Sequence, residues 1–156
     1  MNLDNLNKWL TLVSNVAVLG GIVFLGIELQ QNNLIAKAQT RSEISRISVE
    51  NTRMFQVPIS LEITAKRRAG EELSVQERTW EAQAFRSEFK SWENVFYQYR
   101  VGLYDEPELE AYRSTWRNRF GRCEVPFIQS YSSVRMQLEP SFRGEMDSLL
   151  SQSNCD

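Results

Sequence analysis

Residues Leu10 to Ile27 (LTLVSNVAVLGGIVFLGI) carry no charge, whereas the chain beyond Gln31 mixes charged, polar and apolar positions throughout. At a helical rise this uncharged run reaches about 27 Å, enough to cross a bilayer hydrocarbon core. Lys8 and Trp9 fall where one interface would lie, and Glu28, Gln30, Gln31, Asn32 and Asn33 where the other would. Tryptophan suits a headgroup layer because its ring is apolar and its N–H polar. Val16 to Ile27 is apolar or glycine on every side, unlike an amphipathic surface helix. Two other readings compete with a span. Thr11, Ser14 and Asn15 could mark the polar face of a buried helix in a soluble bundle, and the N-terminal position also suits a cleaved signal peptide. The run is long for a signal core, one lysine precedes it, and the exit GIELQQN lacks a small-x-small site, with Val18-Leu19-Gly20 a poor substitute. An uncleaved anchor is therefore the expectation.

Beyond the span the apolar positions keep helical spacing. Asp4 or Asn5 can cap the first helix, and no proline follows before Pro58, so the span is expected to continue as far as Phe55. Leu34, Ile35, Ala38, Ile44, Ile47, Met54 and Phe55 make this part a stalk that later rests on the domain. A short helix after Pro58, with Ile59, Ile63 and Ala65 apolar, should stop at Gly70. Ser74-Val75-Gln76-Glu77 is a capping box opening a helix from Val75 to about Leu103. Along it Phe85, Phe89, Trp92, Phe96, Tyr99 and Leu103 recur at alternating four and three spacing, an aromatic seam that must be covered. Asp105-Glu106-Pro107 starts the next helix, which carries Leu109, Tyr112, Trp116 and Phe120 and stops at Gly121. Two more run from Pro126 to about Leu138 and from Pro140 to about Leu150. No strand-like alternation, repeat or low-complexity tract interrupts the pattern. The expected fold is all-α: a stub over residues 1–9, a transmembrane helix over 10–27, a stalk over 28–57, and a small helical bundle over 58–156.

Within the span Ser14, Ala17 and Gly21 share one helix face, and Ala17-x-x-x-Gly21 is a small-xxx-small pair that lets two helix backbones approach closely. Asn15 could add an interhelical hydrogen bond. The competing reading is that small residues are simply common in spans. Orientation follows the basic residues: Lys8 upstream against Lys37, Arg41 and Arg46 downstream favours an inner-membrane, single-pass protein with its C-terminal domain cytoplasmic.

Composition narrows the chemistry. The 156-residue chain has a formal net charge of −2, which supports neither a nucleic-acid nor an acidic-substrate surface. It contains no histidine, which removes Ser-His-Asp and Cys-His catalysis, histidine-ligated zinc and histidine pH switching together. Its two cysteines, Cys123 and Cys155, lack metal-type spacing and are expected as unpaired thiols in a reducing compartment. No catalytic, metal or cofactor residue is assigned, and no cofactor is expected.

The densest polar cluster flanks the aromatic seam. Glu93, Asn94, Tyr97, Gln98 and Arg100 lie within reach of one another on the central helix. They could line a pocket for a small polar or amphipathic ligand, or form an internal network with Glu93 and Arg100 pairing to neighbouring helices. Lys66-Arg67-Arg68 is the dense basic run. It either complements a helix C-terminus or attracts anionic headgroups. Arg113, Arg117, Arg119 and Arg122 similarly end an acid-started helix, and Glu71-Glu72 reads as solvated surface.

The stretches GIVFLGIELQQN, WENVFYQYRVGLYD and EPSFRGEMDSLL, taken in order, resemble a widespread group of small bacterial single-pass membrane proteins without assigned function. That resemblance implies an N-terminal span followed by a helical domain with an aromatic central helix, and it brings no activity. The expected function is a membrane-anchored interaction or scaffold protein, non-enzymatic, either self-associating or attached to a membrane protein partner in the lipid bilayer. A tethered small-ligand-sensing domain using the Glu93 to Arg100 flank is the alternative of a different class. An enzyme is a distant third, because no activated nucleophile or metal set is visible.

Overall fold

The computed structural model describes residues 3–153 and 155. Among them are six α-helices and no strand: α1 Leu3–Met54, α2 Pro58–Ala69, α3 Val75–Arg100, α4 Glu106–Gly121, α5 Val125–Val134 and α6 Pro140–Gln152, with a 3₁₀ turn at Arg135–Gln137 after α5. The all-α architecture expected from the hydrophobic spacing is the one observed. The chain divides into two compact units, Met1–Gln39 and Thr40–Asp156.

The first unit is the N-terminal part of α1. The helix is already formed at Leu3, so Asp4 sits in its first turn rather than at the cap. There its carboxylate complements the N-terminal end of the helix dipole. An 18-residue window of α1 has a mean hydropathy of 2.2, and none of it is buried. This helix is long and apolar enough to cross a membrane.

In the second unit the last part of α1 enters the core through Ile44, which is 4 % exposed, and Phe55, just past the helix end, packs against the same cluster. Ser60 closes the α1–α2 corner by donating from Oγ to the Phe55 carbonyl at 3.0 Å. Helix α2 ends where the chain passes into the left-handed region at Gly70 (φ 71°), a conformation that costs glycine little. The Glu71 N–H then reaches back to the Lys66 carbonyl at 2.9 Å.

The capping box at the start of α3 forms as the sequence predicts. Ser74 Oγ accepts from the Glu77 N–H at 3.2 Å, and Glu77 Oε2 accepts from the Ser74 N–H at 2.7 Å. The other end differs from expectation: α3 stops at Arg100, not Leu103. Gly102 takes φ 77°, and the Leu103 N–H donates to the Gln98 carbonyl at 3.0 Å, which closes the helix a turn early. At the end of α4, Gly121 is the last helical residue, and it is Cys123 that adopts the left-handed conformation, φ 51°. Helix α5 likewise ends at Val134, its final expected turn tightening into the 3₁₀ segment, whereas α6 runs two residues past Leu150.

The seam on α3 organises the core. Phe85, Phe89, Trp92 and Phe96 are buried along it, with Tyr99 at its edge. Helices α2, α4 and α5 all contact α3, and α6 packs on α4. Phe89, with no exposed surface, lies 4.9 Å from the Phe127 ring in a stacked pair, 5.4 Å from Tyr131 and 6.3 Å from Phe120. Trp116 and Phe142 meet edge to face at 5.8 Å. Such ring pairs add to the area they bury.

The two cysteines are bonded, which corrects the expectation of free thiols. Cys123 and Cys155 form a disulfide with Cα atoms 5.3 Å apart, inside the range a bridge requires. The 32-residue separation hides this proximity, because α5 and α6 turn the chain back on itself between the two. On the chain-entropy account, closing such a loop stabilises the fold by roughly 3–4 kcal/mol.

Phe89→Ala is expected to destabilise the domain by about 3–5 kcal/mol, because a buried ring at the centre of four others leaves a cavity that helices cannot collapse into. Denaturant unfolding followed by far-UV circular dichroism measures it.

Candidate functional site

The flank of α3 picked out by the sequence meets the N-terminus of α6, and the two enclose a cavity of ≈ 300 Å³. Phe96 and Phe142, both buried, form its apolar floor, and Tyr97, 57 % exposed, stands at its mouth. Glu93 is the hinge of the polar wall. Its Oε1 accepts from the backbone N–H of Glu139 at 2.6 Å and its Oε2 from Lys90 Nζ at 2.7 Å. Lys90 also donates to the Gln137 carbonyl at 2.9 Å, so one lysine and one glutamate tie α3 to the loop that precedes α6.

Arg100 reaches the same loop. Its Nη1 donates to Glu139 Oε1 and to Ser141 Oγ, each at 2.8 Å. Glu139 is the N-cap of α6, its Oε2 accepting from the backbone N–H of Ser141 and of Phe142, both at 2.9 Å. The Phe142 N–H, the Ser141 side chain and the Arg100 guanidinium together hold the Glu139 carboxyl down to about 2. A carboxylate at a helix N-terminus satisfies orphan N–H groups and complements the dipole.

Of the five residues singled out on this flank, Glu93, Asn94, Tyr97 and Arg100 line the cavity. Gln98 does not; it turns aside and donates from Nε2 to Asn94 Oδ1 at 3.4 Å. Sequence reasoning missed Lys90, Glu139 and Ser141. Lys90 lies one turn before Glu93, and Glu139 directly precedes the proline that opens α6, a cap signal present in Glu139-Pro140-Ser141. Because the charged groups around the cavity already answer one another, the arrangement reads as an internal network that pins α6 to α3. Its mouth leaves room for a small guest.

The other cluster, Ser14, Ala17 and Gly21, lies along one stripe of α1, and each residue is exposed. A Cβ added at Gly21, or at Gly20 or Gly26, would meet no atom within 4 Å. The basic run finds partners in α3: Lys66 Nζ lies 2.6 Å from Glu77 Oε1 and Arg67 Nη2 2.7 Å from Glu81 Oε2. Arg113 bridges Glu106 at 2.5 Å and Glu145 at 2.7 Å, joining α4 to α6. Arg135 grips Asp147 with both Nε (2.7 Å) and Nη2 (2.6 Å), and Tyr131 donates to the same carboxylate at 2.6 Å. Among the described residues no group of three or more His, Cys, Asp or Glu is placed to hold a metal ion. Among the described residues, the side-chain atoms Glu88 Oε2 and Trp116 Nε1 are buried without a hydrogen-bond partner.

Comparison of the chain with protein-family models, with curated proteins and with solved structures gave no match.

Glu139→Gln is expected to lower the thermal midpoint by a few degrees at pH 7. It should also flatten the acid limb of the stability curve. A carboxyl held at about 2 when folded contributes stability that is complete above its unfolded value and is lost as pH falls from about 4.5 towards 2. Melting curves of both proteins across pH 2–7 give the comparison.

Proposed function

We propose that this protein is a membrane-anchored interaction or scaffold protein, non-enzymatic, which self-associates or joins a larger membrane complex. The observation that carries the reading is the first half of α1. It is uncharged from Leu10 to Ile27, uncovered by the rest of the described chain, and ends in a polar collar from Glu28 to Asn33. Such a surface is stable only in lipid or against another apolar helix. The Ser14, Ala17 and Gly21 stripe gives that second helix a place to approach closely, since lipid offers no hydrophobic drive for pairing. The domain beyond supplies a rigid body: its aromatic core is closed, its charged side chains are mostly paired with one another, and the flank cavity is already braced from within.

Two features bear on which side of the membrane the domain occupies, and they pull in opposite directions. Lys37, Arg41 and Arg46 against Lys8 favour the cytoplasmic side. The Cys123–Cys155 bridge favours an oxidising compartment. We give the bridge more weight. Lys37 is already ten residues past Ile27, so the basic margin near the membrane is small. On this reading the N-terminal stub with Lys8 stays inside and the domain lies on the exported face.

Gly21→Ile is expected to weaken self-association in a membrane two-hybrid assay, because a branched side chain on the stripe holds two backbones apart. An unchanged signal removes this face as the pairing surface. For orientation, protein extracted from membranes without reductant is denatured and alkylated before and after reduction, alongside a fusion reporter at residue 156. Thiols that react only after reduction, with a reporter active on the exported face, are expected. Two free thiols and a cytoplasmic reporter would return the domain to the other side.

A further inference from the structure

Glu88 sits on α3 beside the aromatic seam, and its carboxyl has no hydrogen bond. Oε2 is buried without a partner, and the nearest cation, Arg119 Nε, is 3.8 Å from Oε1, beyond hydrogen-bond reach. Arg119 is committed elsewhere: its Nη1 lies 2.5 Å from Glu124 Oε2, and its guanidinium covers the Phe127 ring at 4.3 Å. The side chain as a whole is 17 % exposed, but a carboxyl oxygen shut from water without a donor is costly, and native proteins rarely leave one so.

The same carboxyl lines a cavity of ≈ 420 Å³ set among α1, α3 and α4, a volume within the range of small-ligand sites. From α1 come Asn51 and Thr52, from the turn after it the Phe55 ring, from α3 Ser91 and Trp92, and from α4 Tyr112. Glu88 is the one charged residue on the wall among the described residues. The wall therefore combines one anion, several hydroxyl and amide groups, and three aromatic rings. An anionic guest would face the carboxylate unaided. A neutral polyol would leave the charge uncompensated, and a quaternary ammonium has no N–H to give the empty oxygens. A divalent metal would find a single carboxylate where such ions gather several oxygen ligands.

We propose that this cavity binds a small primary ammonium ion, its N–H groups donating to the Glu88 carboxylate and its short aliphatic stem lying against Phe55, Trp92 and Tyr112. Aromatic faces and a desolvated carboxylate both favour such a cation. The state of Glu88 makes the binding sensitive to pH. Burial pushes its carboxyl up to about 7, opposed by Arg119 and Arg122 and reinforced by Glu124. Tyr112, the other titratable group on the wall, is held up to about 12 by burial and stays neutral in this range, while α1 brings no charged side chain to the cavity. The ammonium pairs with the ionised carboxylate, so affinity rises with pH up to about 7 by as much as tenfold per unit and levels off above it.

The test uses the full-length protein in zwitterionic nanodiscs. n-Butylamine is titrated by calorimetry at pH 6, 7 and 8, with butan-1-ol as the uncharged control and empty nanodiscs as the blank. Binding that strengthens from pH 6 to 7, is at least tenfold weaker in Glu88→Gln and is lost in Ala111→Phe, which fills the cavity from α4, is the expected result. The Ala111 variant keeps the carboxyl in place, so it decides the matter if the Glu88 variant does not fold. No heat at millimolar amine, equal affinity in the folded variants, or equal binding of butan-1-ol would overturn the proposal.

Discussion

The bundle is held by one stripe of aromatic rings along α3. Phe85, Phe89, Trp92 and Phe96 recur every three or four residues, so they face one way, and a stripe of that width must be covered to leave water. Helix α5 supplies Phe127 and Tyr131, α4 supplies Trp116 and Phe120, and α6 adds Phe142. Flat rings pack at a few preferred tilts, so each partner helix is fixed in rotation as well as in distance. The remaining architecture follows from keeping those helices in place around the stripe.

Charged groups do that at the rim. Lys66–Glu77 and Arg67–Glu81 bind α2 to α3, Arg113–Glu145 binds α4 to α6, and Arg100–Glu139 binds α3 to α6. Of these pairs Arg100–Glu139 is exposed on both sides, and an exposed pair adds little free energy. Their effect is on register, and it is strongest where the carboxylate also caps a helix, as Glu77 does for α3 and Glu139 for α6. The Lys66 ammonium and the Ser74 groups hold the Glu77 carboxyl down to about 2, which places it among the groups that acid would release. Glu88 is the exception to this pairing. Its Oε2 is buried without a hydrogen bond, Arg119 stands 3.8 Å from Oε1, and the side chain sits where three helices leave a gap.

The two parts of α1 carry different patterns of exposure. Along Leu10 to Ile27 the apolar side chains are exposed on every side, on a helix long and apolar enough to cross a membrane. From Ile44 onward the same helix has Ile44 buried and Ile47, Asn51 and Met54 half-buried at helical spacing, the pattern of an element that touches a core on one face only. One continuous helix thus passes from an apolar, uncharged stretch to one with a single packed face, as the lack of proline before Pro58 permits.

Local chemistry made much of this legible in the chain. The helical period, the Ser74 capping box, the prolines at positions 58, 107, 126 and 140 and the Gly70 stop each act within a few residues, so the elements and most of their ends could be read directly. The misplaced ends differ by a few residues: Gly102 closed α3 before Leu103, and Cys123 took the turn that Gly121 was expected to make. The candidate flank was half visible. Glu93 and Arg100 stood out on α3, but their partners Glu139 and Ser141 lie some forty residues on, and only packing of α6 brings them together. The Cys123–Cys155 bond and the unanswered Glu88 were beyond the sequence altogether. Periodicity reports which face of a helix is apolar; it carries no distance between faces. Whether two thiols meet, or a carboxyl is shut away beside a cavity, is set by how the helices close on the aromatic stripe.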